Sequence, residues 1–446
     1  MLKIQKSRHQ MNLESSIYEI TLSRKCFLCF LSPVICIWLI TSPSKAIDLY
    51  SSQDGERSIS LDISGKLTSL ASHAPEDNIL YPKQDSLTEF FRLRFGLNAT
   101  YNDWINGNFA YEQSARWLSD KAAAGAGSSF LPSQVKAPYR LTQLDWEITE
   151  TDTFLYRHEI DRALVAMHPK WGQVIIGRQG IGLGRGTIFS AVDIFAPFSP
   201  LEVDREWRRG VDAIRIERNI TSTSSVELIG AFGQTWEQSV LLGRARGYFG
   251  NMDGEVLFGK RAEDTMLAGV ASAAVSDAEV HSELAFFHTP ERQPESGLFC
   301  NRHEVVKFVL GSSYTFNIGN GLTWLTEYHY SGFGLKNIED ISTELKKREF
   351  LERIVRGDTQ ILGRQAIASQ LSYPFRIDLN GSLLILQSPQ DGSGVVSPSF
   401  IWDFSQHSSI VGSLFVPWGD RPSSGILKSE YGGTPISLFL QLRSYF

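Results

Sequence analysis

The chain has 446 residues, with 43 basic and 49 acidic side chains, a net charge of −6 and 42% hydrophobic residues. Nothing in that balance resembles a basic nucleic-acid-binding domain, and the several apolar runs of roughly 20 residues that a helical multi-span membrane protein needs are missing. A membrane β-barrel stays open, because its lipid face uses only every second residue of a strand.

The single long apolar run is Cys26 to Ile40, preceded by Arg24-Lys25 and followed by Ser44-Lys45-Ala46. This is the charged, apolar and small-residue order of a secretory signal peptide, expected over 1–46 with cleavage after Ala46. Its removal takes six basic and two acidic residues and shifts the net charge from −6 to −10. It also takes Cys26, Cys29 and Cys36, leaving Cys300 alone. A secreted chain of this size without an internal disulfide suits the bacterial envelope better than a eukaryotic extracellular space. The reading divides the chain into 1–46, signal peptide, and 47–446, outer-membrane β-barrel of a Gram-negative cell.

From residue 57 onward the dominant period is two. Phe91, Leu93, Phe95, Leu97, Ala99 and Tyr101 fall on one face, and Arg92, Arg94, Gly96, Asn98 and Thr100 on the other. That is a strand with one apolar and one charged face. The same alternation sets Ile214 and Ile216 against Arg215 and Glu217, and Val306, Phe308 and Leu310 against Lys307. A further strand is read over Arg376 to Leu386, with Ile377, Leu379, Leu383 and Ile385 on its apolar face. Other strands are expected at 57–69, 140–150, 154–168, 171–179, 224–234, 238–249, 254–261, 265–275, 278–288, 321–331, 363–373, 395–404 and 408–417. Turn residues separate them, among them Asn102-Asp103, Asn106-Gly107, Asn320-Gly321, Asp391-Gly392 and Gly432-Gly433. A soluble sandwich uses strands of about 5–6 residues; these run near the length that crosses a bilayer at a tilt.

Two segments interrupt the alternation. Residues 118–138 are rich in alanine, glycine, serine and proline and read as a loop. Residues 339–356 carry Ile341, Leu345, Phe350, Leu351 and Ile354 at helical spacing and read as a short helix in an extracellular loop, with a plug or partner-binding helix as the alternative.

The chain ends in Ile436, Leu438, Leu440, Leu442 and Phe446 on one face. An alternating terminal strand closed by an aromatic residue resembles the segment by which outer-membrane barrels are recognised for insertion. Leu438, Leu440, Leu442 and Phe446 are therefore the candidate insertion signal, with the barrel-insertion machinery and outer-membrane lipid as expected partners. In lipid every backbone polar group needs an internal partner, so without spanning helices the sheet must close. The expected fold is all-β: an antiparallel transmembrane barrel of roughly 16–18 strands with long extracellular loops. Barrels of that size hold an aqueous lumen.

The chemistry concentrates in 177–212. The strand ending in Gly177-Arg178-Gln179 is followed by Gly180, Gly182, Gly184 and Gly186. Next comes an apolar piece containing Asp193, then a charge cluster of Glu202, Asp204, Arg205, Glu206, Arg208 and Arg209. A dinucleotide-binding reading of the glycines fails, because prolines follow where a helix is required. The segment reads either as a solvated loop or as a connection folded into the lumen. In the second case Arg178, Gln179, Arg185, Asp193, Asp204, Arg205, Glu206, Arg208 and Arg209 set the constriction, and Arg92, Arg94, Arg215, Glu217 and Lys307 face the lumen. Charges within low-dielectric walls focus the field on permeating ions.

Gly177-Arg178-Gln179, the glycine run, Asp193 and Asp204-Arg205-Glu206 through Arg209-Gly210-Val211-Asp212 resemble the porin-like outer-membrane barrels of the alginate-export type. The resemblance implies a passive, substrate-selective channel for saccharides or small hydrophilic or anionic solutes. Leu183 stands where an aromatic residue often follows the motif, and no particular substrate is carried over. No nucleic-acid partner, cofactor or metal is expected, because no compact His/Cys/Asp spacing occurs. The histidines are scattered and no serine sits in an elbow motif, so an outer-membrane hydrolase is a weaker alternative than a non-conducting barrel used in adhesion or envelope assembly.

Overall fold

The computed structural model describes residues 47–52, 54–120, 130–132, 137–195, 197–290 and 303–446. The expected signal peptide, its cleavage after Ala46 and the lone Cys300 lie outside the described residues.

In chain order the strands are β1 Ile47–Ser51, β2 Arg57–His73, β3 Asp85–Tyr101, β4 Ile105–Leu118, β5 Asp145–Glu150, β6 Phe154–Met167 and β7 Gly172–Gln179. They continue with β8 Val211–Asn219, β9 Ser224–Ala231, β10 Val240–Phe249, β11 Met252–Arg261, β12 Asp264–Val275, β13 Ala278–His288 and β14 Glu304–Phe316. The series ends with β15 Leu322–Ser331, β16 Gln365–Arg376, β17 Leu379–Gln387, β18 Gly394–Ser405, β19 Ser408–Trp418 and β20 Ile436–Tyr445. Eighteen of these form a closed antiparallel wall in which β20 returns to β2, pairing Ile436 with His73 and Tyr445 with Ser64. The other two patch that wall. Strand β1 pairs with β2 at Leu61 to Ser58, just past the point where Phe446 ends its ladder with Ile63. Strand β5 pairs with β6 at 155–159, beyond the level where β7 leaves it.

One rim carries eight connections of two to five residues, such as 250–251 and 276–277. The other carries every long one, including 119–153, 180–210, 332–364 and 419–435. By barrel topology the long-connection rim is extracellular and the short-turn rim periplasmic. The glycine and charge segment therefore enters from the extracellular side.

The outer face follows the period-two reading: Leu87, Leu97, Ile214, Ile216, Leu310, Leu438 and Leu440 are exposed, while Lys66, Arg92, Arg94 and Lys307 are turned inward and buried. Aromatic residues mark the outer face near both rims, with Trp104, Trp171 and Phe249 at one and Trp117, Trp146 and Trp236 at the other. Two local expectations are corrected. Asn106-Gly107 lies inside β4, paired with Thr100 and Ala99, because Asn102 takes the positive φ of the turn four residues earlier. Ile377 sits in the turn between β16 and β17 and is fully exposed.

The inner face changes character with height. Near the extracellular ends it is apolar, with Leu70, Phe90, Ile229, Leu242, Phe287, Val305, Leu386 and Phe439 buried. Near the periplasmic ends it is polar: Asn108 donates to Asn98 and Asn98 to Asp62, each at 2.6 Å, and Ser382 and Ser399 share a 2.7 Å bond. The apolar half is not open water, as a barrel of this size led us to expect. It packs around the connection 180–210, whose Ile181, Ile188, Phe189, Val192, Ile194 and Phe195 are all buried in one hydrophobic cluster with the wall. Burial of the segment's apolar side chains, at about 25 cal/mol per Å² of area removed from water, outweighs an open lumen.

The expected helix near 339–356 is a pair, α1 Ile341–Glu344 and α2 Arg348–Arg356. Ile341, Leu345 and Phe350 pack with Leu335, Ile338 and Leu427. Arg353 of α2 reaches Asp264 at 3.0 and 3.1 Å and Asp358 at 3.1 Å, and Arg261 reaches Asp264 at 2.9 Å. The helix is thus clamped to the β11–β12 turn across the mouth.

Candidate functional site

The inward segment is fastened at its stem, at the far wall and at the near wall. At the stem Arg178 donates to Asp212 at 2.7 and 2.9 Å and to the Ile160 carbonyl at 3.1 Å. Gln179 donates to the Ala213 carbonyl at 3.1 Å, and both side chains are buried. Across the lumen, Glu283 of β13 accepts the backbone N–H groups of Arg185, Gly186, Ala191 and Val192 at 2.6–3.2 Å, and the Ser190 hydroxyl at 2.9 Å. Glu327 of β15 accepts those of Thr187, Ile188 and Phe189 at 2.6–3.0 Å and faces His281 Nε2 at 3.1 Å. The glycine run serves this docking. At Gly184, whose φ is +88°, a Cβ would collide with the Glu283 carboxylate, and at Gly186 it would collide with the Phe189 carbonyl.

At the near wall the charge cluster meets β2, β3 and β20. Asp204 accepts from Lys66 Nζ at 2.7 Å and Arg92 at 3.2 Å. Glu206 pairs with Lys66 at 2.7 Å and accepts the Tyr445 hydroxyl at 2.7 Å. Between them Trp207 lies under three cations, with Lys66 Nζ 3.9 Å, Arg94 4.9 Å and Arg92 5.3 Å from its ring. Each such contact contributes about 0.5–2 kcal/mol.

These contacts separate interior cavities. The upper one, about 280 Å³, is lined by Phe90, Arg92, Glu112, Trp207, Arg209 and residues of α2. Below it, one cavity of about 550 Å³ is lined by Arg94, Arg162, Asn98, Glu206 and Trp207. A second, of about 560 Å³, lies under Ile188, Leu201 and Val203 against β16–β19. Trp207 belongs to the walls of the upper cavity and the first lower one, and Glu202 to those of the upper cavity and the second. These two side chains are shared between the upper cavity and the lower ones.

The charged and polar residues singled out from sequence divide into four groups. Asp204, Glu206, Arg92 and Arg94 come together at Trp207, and Arg209 lines the upper cavity. Arg205 donates to the carbonyls of Thr187, Ser199, Pro200 and Glu202, and Asp193 pairs with Arg208, so these three hold the segment's own shape. Arg185 pairs with Asp253, Arg215 with Glu227, Glu217 with Arg246, and Lys307 is buried on β14; none of them meets the Trp207 junction. Arg178 and Gln179 sit at the stem, where Arg178 is bonded to Asp212 of β8 and Gln179 to the Ala213 carbonyl, and neither lines the three cavities. Of the terminal strand, Leu438 and Leu440 face outward, and Phe446 exchanges two backbone bonds with Ile63 at 2.6 and 2.8 Å.

Sequence reasoning missed Trp207, Lys66, Glu112, Asp161, Glu283 and Glu327. Trp207 is the one aromatic residue inside the charge cluster, which was a usable signal. The two glutamates read only as polar-face residues of ordinary strands; their partners lie about 90 and 140 positions away.

No protein-family model and no curated protein matches the sequence. Solved structures do match in fold. Acinetobacter baumannii OccAB1 superposes with a TM-score of 0.55 at 9% identity, covering 91% of this chain and 99% of that one. Acinetobacter baumannii OccAB3 superposes with a TM-score of 0.53 at 10% identity, covering 87% and 99%. Both are outer-membrane porins, and the fold of this chain is that of the outer-membrane porin barrels.

Proposed function

We propose that the protein is an outer-membrane channel for passive passage of small hydrophilic solutes, with residues 180–210 as its constriction. The observation that carries the reading is Trp207, held by the inward segment on the shared boundary of an upper and a lower cavity and framed by cations from two wall strands, β2 and β3. A polar interior inside an apolar barrel has a use only if water and solute enter it. The resemblance of 177–212 to the alginate-export-type barrels agrees with this reading at the level of that segment, and it names no substrate.

Charges of both signs line the two cavities that share Trp207: Arg92, Arg94, Arg157, Arg162 and Arg209 against Asp62, Glu112, Glu159, Asp161, Glu202 and Glu206. Arg116 is buried against the Phe90 ring and the Pro132 carbonyl. Rings of fixed charge set pore selectivity. The test is single-channel recording on refolded 47–446 in a salt gradient. Discrete steps are expected, with a reversal potential moved toward cations by Arg94→Gln. A folded barrel that gives no steps at any voltage refutes the channel.

A further inference from the structure

The lumen has two chemically different sides. Strands β3, β4 and β6 carry most of the charge described above. Strands β16–β19 carry only Arg376 and Asp403, both at the periplasmic ends. Against that neutral side lies the 560 Å³ cavity beneath Ile188, Leu201 and Val203. Its volume falls in the range of small-molecule sites.

Beside its apolar residues the cavity's lining carries hydroxyl and amide groups. Ser397 and Ser413 are 4% and 5% exposed, line the cavity and have no hydrogen-bond partner among the described residues. Asn380 lines it also. Ser382 and Ser399 are bonded to each other, and Gln370 donates to Ser372, which leaves each with acceptor or donor capacity. The charged groups at its edge are engaged to different degrees. Arg205 is used by four carbonyls, Arg443 donates to Gln441 at 2.6 Å, and Glu202 accepts from Ser199 N–H at 3.3 Å.

A cavity-facing hydroxyl without a protein partner can bond a ligand's hydroxyl in place of water. Arg443 is the one guanidinium of this lining with spare donors, so recognition here rests mainly on hydroxyls, amides and apolar groups. A solute with many hydroxyls and an apolar C–H face matches both surfaces, its hydroxyls on the serines and its C–H face on Ile188, Leu201 and Val203. The geometry points to a binding site for an uncharged polyhydroxylated solute, a small saccharide or polyol, on β16–β19 beneath the inward segment. This site is separate from the charged junction at Trp207. It goes beyond the channel reading and does not depend on conduction.

The test is isothermal titration of the refolded, detergent-solubilised 47–446 chain with maltose, sorbitol and glutarate, beside conductance on the same preparation. Saturable binding of maltose or sorbitol is expected, and none of glutarate to this site. Ser397→Ala with Ser413→Ala should weaken it about tenfold, the equivalent of one or two hydrogen bonds. Ser382→Ala with Ser399→Ala is the second pair, in case the first fails to refold. No saturable binding of either neutral solute overturns the site while leaving a conducting channel intact. Binding that neither pair weakens also overturns it. Binding by a barrel that never conducts supports the site and removes the channel.

Discussion

Glu283→Ala tests whether the inward segment is held by the far wall. The carboxylate accepts four backbone N–H groups and one hydroxyl, from Arg185, Gly186, Ala191, Val192 and Ser190. Leaving a buried donor unpaired costs about 1–3 kcal/mol. Taking the low end for five donors, since water enters the space vacated, the docked arrangement loses about 5 kcal/mol. At about 1.4 kcal/mol per factor of ten, the undocked population rises more than a thousandfold. The strand ladder is separate from these bonds, so heat-modifiable migration of the barrel should persist. The inward segment should come loose, with larger and noisier conductance steps and new tryptic cleavage at Arg185, Arg205 or Arg208. Steps and protease resistance identical to the parent would refute the docking argument.

Arg178→Gln should impair barrel assembly and leave ion selectivity unchanged, because it breaks a buried pair with Asp212, a loss of about 3–5 kcal/mol; refolding yield and reversal potential separate the two effects. Leu440→Arg places a charge on the lipid face at a cost of about 2–4 kcal/mol near mid-membrane, and normal insertion into liposomes would show the strand faces reversed. Asp264→Asn weakens the clamp on α2 and should lower the thermal midpoint, with proteolysis appearing first within 332–364. Glu430, in the extracellular connection 419–435, accepts the N–H groups of Leu362 and Gly363, and burial pushes its carboxyl up to about 7. Its folded pKa is above the ordinary value of 4.5, so the docked loop binds the proton more tightly. Docking of 419–435 on 361–364 is therefore favoured below pH 4.5 and weakens as pH rises to about 7. Tryptic cleavage at Arg421 or Lys428 should increase across that window, and Glu430→Gln should flatten it.

The strands and their faces were legible because a lipid-facing wall imposes one rule at every second residue. Leu93 outward and Arg92 inward could be read from alternation alone, and the terminal strand from Ile436 to Phe446 likewise. Asn106-Gly107 misled because a strong turn dipeptide can sit in a ladder when a neighbour, here Asn102, supplies the positive φ. The charge cluster marked the segment but not the roles within it. Asp204 and Arg205 are adjacent, yet one bonds Lys66 of the near wall and the other ties four carbonyls of its own loop.

By itself the sequence determined a closed antiparallel wall with apolar exterior and polar interior, and a segment at 177–212 unlike the rest. Period-two patterning is local and survives without knowledge of contacts. Only the tertiary structure decided which rim that segment enters from, that Glu283 and Glu327 carry it, and that Trp207 stands between two cavities. Those facts depend on strands brought face to face across the lumen by closure. Residues about 90 to 140 positions apart leave no periodic trace in the chain of the bond they make.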